Sequence, residues 1–231
     1  MKKFLLLAFM TAMIGLPCCA FSTSDNMPNT EVRKITQKVD EIGFNILNSN
    51  GITKRMVFNF DTHNVKNAVT MPTSREITMY KGLFNKLDSD DEIAAVLAHE
   101  ISHGVDSYNG ILRGTFSDWS YVFHPKKYEY KADKRAVDYM VNAGYNPVAF
   151  IVVMSRCFGQ NRFDWHRTHP LSTRRMMEVY EYIYKKYPEF LANNTYKNNI
   201  YYQNFLLTSQ ENRAKFQNKV KTNSKSRIKY N

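Results

Sequence analysis

His99-Glu100-Ile101-Ser102-His103 is the stretch of this chain best suited to chemistry. It follows the H-E-x-x-H pattern of zinc hydrolases. On a helix, residues four apart share a face and stand about 6 Å apart along the axis. Two imidazoles so placed can reach one metal ion. Glu100, one residue along, can lie beside that ion without ligating it, where a carboxylate serves as general base toward an activated water. Two histidines leave such a site incomplete, because a catalytic zinc takes three protein ligands and keeps one position open.

The residues before the motif form a helix start. Ser89-Asp90-Asp91-Glu92 reads as a capping box, Ser at the N-cap and Glu at N3. Asp90 and Asp91 place negative charge in the first turn, where the helix dipole favours it. Ile93, Val96, Leu97 and Ile101 recur near helical spacing, and Ala94, Ala95 and Ala98 allow close packing. A largely buried helix over 90–103 is expected, with Gly104 as its stop.

A second helix is expected over 127–143, ended by Gly144 and Pro147. It carries Glu129-Tyr130-Lys131-Ala132-Asp133, with its two carboxylates four apart beside a stripe of Ala132, Ala136, Val137 and Met140. Buried carboxylates are costly unless paired or bound to metal. Spacing alone leaves two readings open: a third metal ligand with its support, or a solvated acidic pair bonded to Lys126, Lys127 or Lys131.

The remaining periodicities predict helices over 30–47, 147–158 and 172–186, and short strands over 56–61, 67–71 and 76–80. Residues 105–126 read as irregular. Past Pro188 the chain is rich in Asn and Tyr, with one helix expected around 209–220. There is no internal repeat. The 231 residues suit one domain, here expected over 21–208, and 43% apolar content argues against a disordered chain.

The first residues read as a targeting segment. Met1-Lys2-Lys3 is basic, 4–16 is apolar at signal-peptide length, and Pro17-Cys18-Cys19-Ala20 supplies small residues for cleavage after Ala20. A retained anchor or lipid attachment at Cys18 or Cys19 are the alternatives. The protein is therefore expected to be exported, in the periplasm or associated with the envelope. Cleavage leaves Cys157 alone, in an apolar run, as a packed thiol without a disulfide partner. The net charge of +11 is concentrated at the end, where 213–229 holds seven basic residues and no acid. This 209–231 segment reads as a flexible basic tail able to touch an anionic membrane surface. No nucleic-acid partner is expected of an exported chain.

Four islands in order resemble the gluzincin peptidases that include the CAAX prenyl endopeptidases, the HtpX heat-shock protease, the mitochondrial OMA peptidase and exported bacterial proteases of envelope quality control. They are Asn67-Ala68-Val69, the helix from Glu92 to His103, Glu129-Tyr130-Lys131-Ala132-Asp133 with Ala143-Gly144-Tyr145-Asn146-Pro147, and Thr168-His169-Pro170 with Arg174. The resemblance implies an α+β fold: a mainly helical metallopeptidase domain with a small edge-strand sheet beside the active-site helix. It implies one Zn2+ held by His99, His103 and Glu129, with Glu100 as general base. Asp133 would orient a ligand histidine. Asn67 and Ala68 would lie on a strand that pairs with a polypeptide substrate. His169 would face the open side of the metal as a catalytic group, stabilising the oxyanion or closing the site. Arg174 would support that loop or the ligands. Pro72-Thr73-Ser74 departs from the family's Pro-Gly-Gly turn after this strand.

The implied activity is a zinc endopeptidase acting on unfolded or misassembled envelope proteins. The alternative is a chaperone or scaffold with a vestigial or closed metal site.

Overall fold

The computed structural model describes residues 27–71, 74–106, 125–157 and 172–230. The expected signal segment and the Thr168-His169-Pro170 island lie outside these residues. The fold is α+β, mainly helical with one small sheet, as the resemblance implies.

The chain opens with α1 (Asn29–Ser49), whose inner face carries Val39, Ile42, Ile46 and Leu47 at spacings of three and four. Three strands follow: β1 (Val57–Asp61), β2 (Ala68–Met71) and β3 (Glu76–Tyr80), in spatial order β1-β3-β2. β1 runs parallel to β3 and β2 antiparallel to it, so β2 is an edge of the sheet. A single turn, α2 (Lys81–Phe84), leads to the central helix α3 (Asp90–Asp106). The others are α4 (Pro125–Asn142), α5 (Val148–Cys157), α6 (Ser172–Lys186), α7 (Pro188–Ala192), α8 (Ile200–Thr208) and α9 (Gln210–Lys221).

Nearly every residue of α3 from Glu92 to Ser102 is buried, because α1, α4, α5 and the sheet all pack on it. Its start is fixed as the capping box predicts in one half only. Ser89 Oγ accepts the Glu92 N–H at 3.3 Å, while the Glu92 carboxylate turns to the Asp88 N–H and to Arg156 of α5. Asp91 accepts the Asn146 N–H at 2.9 Å, tying the α4–α5 turn to the same helix end. That turn needs Gly144, whose φ of 82° lies in the left-handed region.

Two expectations change. Helix α3 does not stop at Gly104 but continues to Asp106. A Cβ at position 104 would stand 3.0 Å from Met56 Cε, so this glycine serves a close approach to the sheet rather than a helix end. The segment expected as a flexible basic tail is also built differently. The helix expected around 209–220 is present as α9, but it is packed rather than free: it buries Asn212 and Phe216, and the chain beyond returns to bury Tyr230, whose hydroxyl donates to Glu181 of α6. Apolar burial outweighs the solvation of its cations there. Among the described residues no helix is long and apolar enough to cross a membrane.

Candidate metal centre and catalytic site

Helix α3 presents His99 and His103 one turn apart, with ring centroids 4.6 Å apart. Helix α4 packs closely against it and turns Glu129 toward both. His99 Nε2 lies 3.1 Å from His103 Nε2 and 3.4 Å from Glu129 Oε2, and His103 Nε2 lies 3.2 Å from Glu129 Oε1. Ligands on a tetrahedral zinc, bonded at about 2.0–2.1 Å, stand about 3.3–3.4 Å apart. The two imidazoles and the carboxylate therefore converge at the spacing one such ion requires, and the donor set of two nitrogens and one oxygen suits it.

The next layer of contacts holds these groups in place. His99 Nδ1 is 3.0 Å from Asp133 Oδ1, which directs Nε2 toward Glu129 and His103. Asp133 receives the guanidinium of Arg175 side-on, Nε to Oδ2 at 2.7 Å and Nη2 to Oδ1 at 2.6 Å. The same guanidinium reaches Glu129 Oε2 with Nη1 at 3.0 Å. The end of α3 is tied to α4 by Arg135, which donates to Ser102 O and Asp106 Oδ1. Lys131 bonds Asp106 as well, so it does not solvate the Glu129–Asp133 pair. Of the two readings left open by spacing, burial of Glu129 and Asp133 excludes the solvated pair.

The site is rich in buried charge. Glu100, Glu129 and Asp133 are 4%, 2% and 1% exposed, and Arg175 is 6% exposed. Burial opposes protonation of His99, but Asp133 and Glu129 outweigh it and hold the imidazole pKa up at about 10. Burial likewise opposes the ionised Asp133, yet the charge and hydrogen bonds of Arg175, with His99, keep that carboxyl below its ordinary value. Arg175 in return is raised further by both carboxylates, against the cost of its burial.

A shallow cleft, partly open to solvent, borders this centre. His99, Glu100 and Arg175 line it together with Asn67 and Ala68 of the sheet edge. Phe150, Val153 and Met154 of α5 form its apolar wall, and the Phe150 ring stands edge-on to His99 at 6.0 Å. A carboxylate on one wall, a three-ligand centre and an extended strand on another suit the hydrolysis of an extended chain.

A comparison with protein families matches residues 33–111 and 121–183, more than half of the chain, to peptidase family M48. The chain belongs to this family. M48 membership makes it a peptidase of the metallopeptidase kind, and the family's members are zinc enzymes. A comparison with curated proteins finds no match.

Within this M48 chain, His99, Glu100, Asn67 and Ala68 line one cleft, and His103, Glu129 and Asp133 gather around His99 beside it, while His169 lies outside the described residues. The arginine on the ligand carboxylates is Arg175 rather than its neighbour Arg174, while the loop that Arg174 was alternatively expected to support lies outside the described residues. The helical period carried that information, since Arg175 stands four residues before Val179 and eight before Ile183, both buried. Thr70 also escaped the sequence reading. Its hydroxyl donates to Glu100 Oε2 at 2.7 Å, and strand alternation from the buried Ala68 is the signal that pointed to it.

Proposed function

We propose that this M48 peptidase is an exported zinc endopeptidase that hydrolyses peptide bonds in unfolded or misassembled envelope proteins, of the soluble branch related to the CAAX, HtpX and OMA peptidases. The observation that carries the reading is the convergence of the His99 and His103 Nε2 atoms, 3.1 Å apart, on the two carboxylate oxygens of Glu129 at 3.4 and 3.2 Å, with Glu100 on the wall of the adjoining cleft. These three residues would hold a zinc ion, which would supply Lewis acidity toward water and the scissile carbonyl. Glu100 takes the proton of the attacking water and passes it to the leaving amine. Asp133 and Arg175 hold His99 and Glu129 in the orientation the ion needs. Asn67 and Ala68 line the cleft where a substrate strand would add to the sheet edge. His169 is assigned to the oxyanion side on the strength of its motif.

The signal-like start supports export, and the basic residues from Arg213 onward support peripheral contact with an anionic membrane surface. Cell fractionation with and without high salt tests both, and recovery in the cytoplasm rejects them.

The deciding experiment compares wild type with Glu100→Gln in a casein assay, with and without chelator, beside elemental analysis. Wild type is expected to cleave only when metal-loaded, and the variant to keep its zinc and lose nearly all turnover. Turnover in a zinc-loaded Glu100→Gln protein refutes the assignment of the base. A zinc-loaded wild type that cleaves nothing but suppresses aggregation moves the reading to the chaperone alternative.

A further inference from the structure

Thr70 joins the strand that would take substrate to the carboxylate that would act on water. Among the described residues β2 pairs with β3 alone. Tyr80 donates its N–H to the Asn67 carbonyl, which marks 67 and 80 as a hydrogen-bonded pair. Antiparallel ladders alternate, so Val69 and Met71 also direct their backbone groups at β3, opposite Thr78 and Glu76. Ala68 and Thr70 are left with N–H and C=O aimed at the outer edge of the sheet.

The Thr70 side chain turns the other way, to α3. Its Oγ1 stands 2.7 Å from Glu100 Oε2 and 2.9 Å from the Glu100 carbonyl oxygen. One proton serves both acceptors, and its bond to an ionised carboxylate is the stronger. Close approach of helix and strand makes these contacts possible. A Cβ on Gly104 would stand 3.7 Å from Thr70 Cγ2 and closer still to Met56.

We propose that Thr70 is a positioning residue for Glu100. Its hydroxyl binds Oε2 and so fixes the plane of the carboxylate that acts on the attacking water. Its backbone, on the substrate edge of β2, couples strand pairing to that orientation. This inference rests on the peptidase reading with Glu100 as base. Neither Ala68, with no polar side chain, nor Met71, which is exposed, can replace the contact.

The test compares zinc-loaded wild type, Thr70→Val and Thr70→Ser on one peptide substrate, with zinc content and melting temperature recorded for each. Thr70→Val keeps the side-chain volume and removes the hydroxyl. It is expected to lower kcat by about 10- to 100-fold, the scale of a misplaced catalytic group, with KM and zinc content unchanged. Thr70→Ser restores the hydroxyl and is expected to recover most of kcat. The proposal is overturned if Thr70→Val leaves kcat unchanged, if KM alone rises, or if Thr70→Ser loses as much as Thr70→Val. Absence of chelator-sensitive turnover in wild type would strike at the peptidase reading instead. A crystal structure of Thr70→Val then decides the inference without any activity. Several Glu100 rotamers support it, and one unchanged rotamer overturns it.

Discussion

Replacing Arg175 by Met tests the electrostatic account of this centre. Arg175 makes three contacts at once: two to Asp133 at 2.7 and 2.6 Å and one to Glu129 at 3.0 Å. It is itself nearly fully buried, as are the carboxylates it meets. Glu100, Glu129 and Asp133 bring three negative charges into the interior, and Arg175 answers one of them. A divalent ion closes the balance. In the chelated protein the protonated His99, with its pKa held near 10, closes part of it. Removing one partner from a buried ion pair costs about 3–5 kcal/mol, because the other charge is left uncompensated. For a chain of this length each kcal/mol is worth about 2–4 °C in melting temperature, so Arg175→Met is expected to melt about 6–20 °C lower. The fall should be larger after chelation, where no divalent charge faces the carboxylates. Arg175→Lys keeps the charge but lacks the fork that spans both carboxylates, and should fall between the two. Calorimetry of zinc-loaded and chelated samples gives the answer. A melting temperature indistinguishable from wild type in Arg175→Met would refute the claim that this guanidinium compensates the site.

Gly43→Ala should destabilise the fold by about 1–3 kcal/mol, the usual cost of overpacking, because an added Cβ would stand 2.6–2.7 Å from ring carbons of Phe58 on β1. Urea denaturation measures it, and an unshifted midpoint would contradict the packing described. The Cys157 thiol is pushed up to about 11 by burial, against smaller opposing effects of Arg156 and Lys86. Alkylation of the native protein should therefore be slow near pH 8 and climb about tenfold per pH unit as thiolate forms, while a plateau below pH 9 would refute this.

What the sequence carried, and what it did not, divides along the range of the forces involved. Local rules placed α3 and its Ser89 cap, and the strand over 76–80, because capping and alternation act within a few residues. The pairing of Glu129 with the histidines needed the resemblance, since spacing alone could not tell a buried carboxylate pair from a solvated one. An arginine doublet offers two candidates, and the helical stripe through Val179 and Ile183, which packs α6 against α4, selects Arg175. Gly104 was read as a stop because glycine commonly ends helices, whereas here it lets α3 lie against Met56 and Thr70. Helix α8 was missed for a different reason. Its apolar residues fall on both sides, with Tyr202 and Phe205 buried while Ile200 and Leu207 remain exposed, so no single stripe marks it. The C-terminal segment was misjudged because its charge is visible in sequence, while its anchors, Phe216 and Tyr230, bury themselves on distant residues.

The H-E-x-x-H motif acquires its specificity from this second group of features. A histidine pair on a helix binds metals indiscriminately when it stands alone, and its geometry then follows the ion. Here the geometry is set beforehand. Asp133 fixes the His99 ring, Arg175 fixes Asp133 and Glu129 together, and Arg135 clamps the end of α3 to α4. Such a frame is expensive in buried charge, and a well-packed apolar substitute would generally be at least as stable. Such charges serve a purpose only if they act on something, and the cleft beside them, bordered by Glu100 and the Asn67–Ala68 edge, is where that action falls. Binding of a divalent ion then relieves the carboxylate excess and displaces the proton from His99. Metal uptake in this M48 chain should thus be coupled both to proton release and to the stability of the α3–α4 pair.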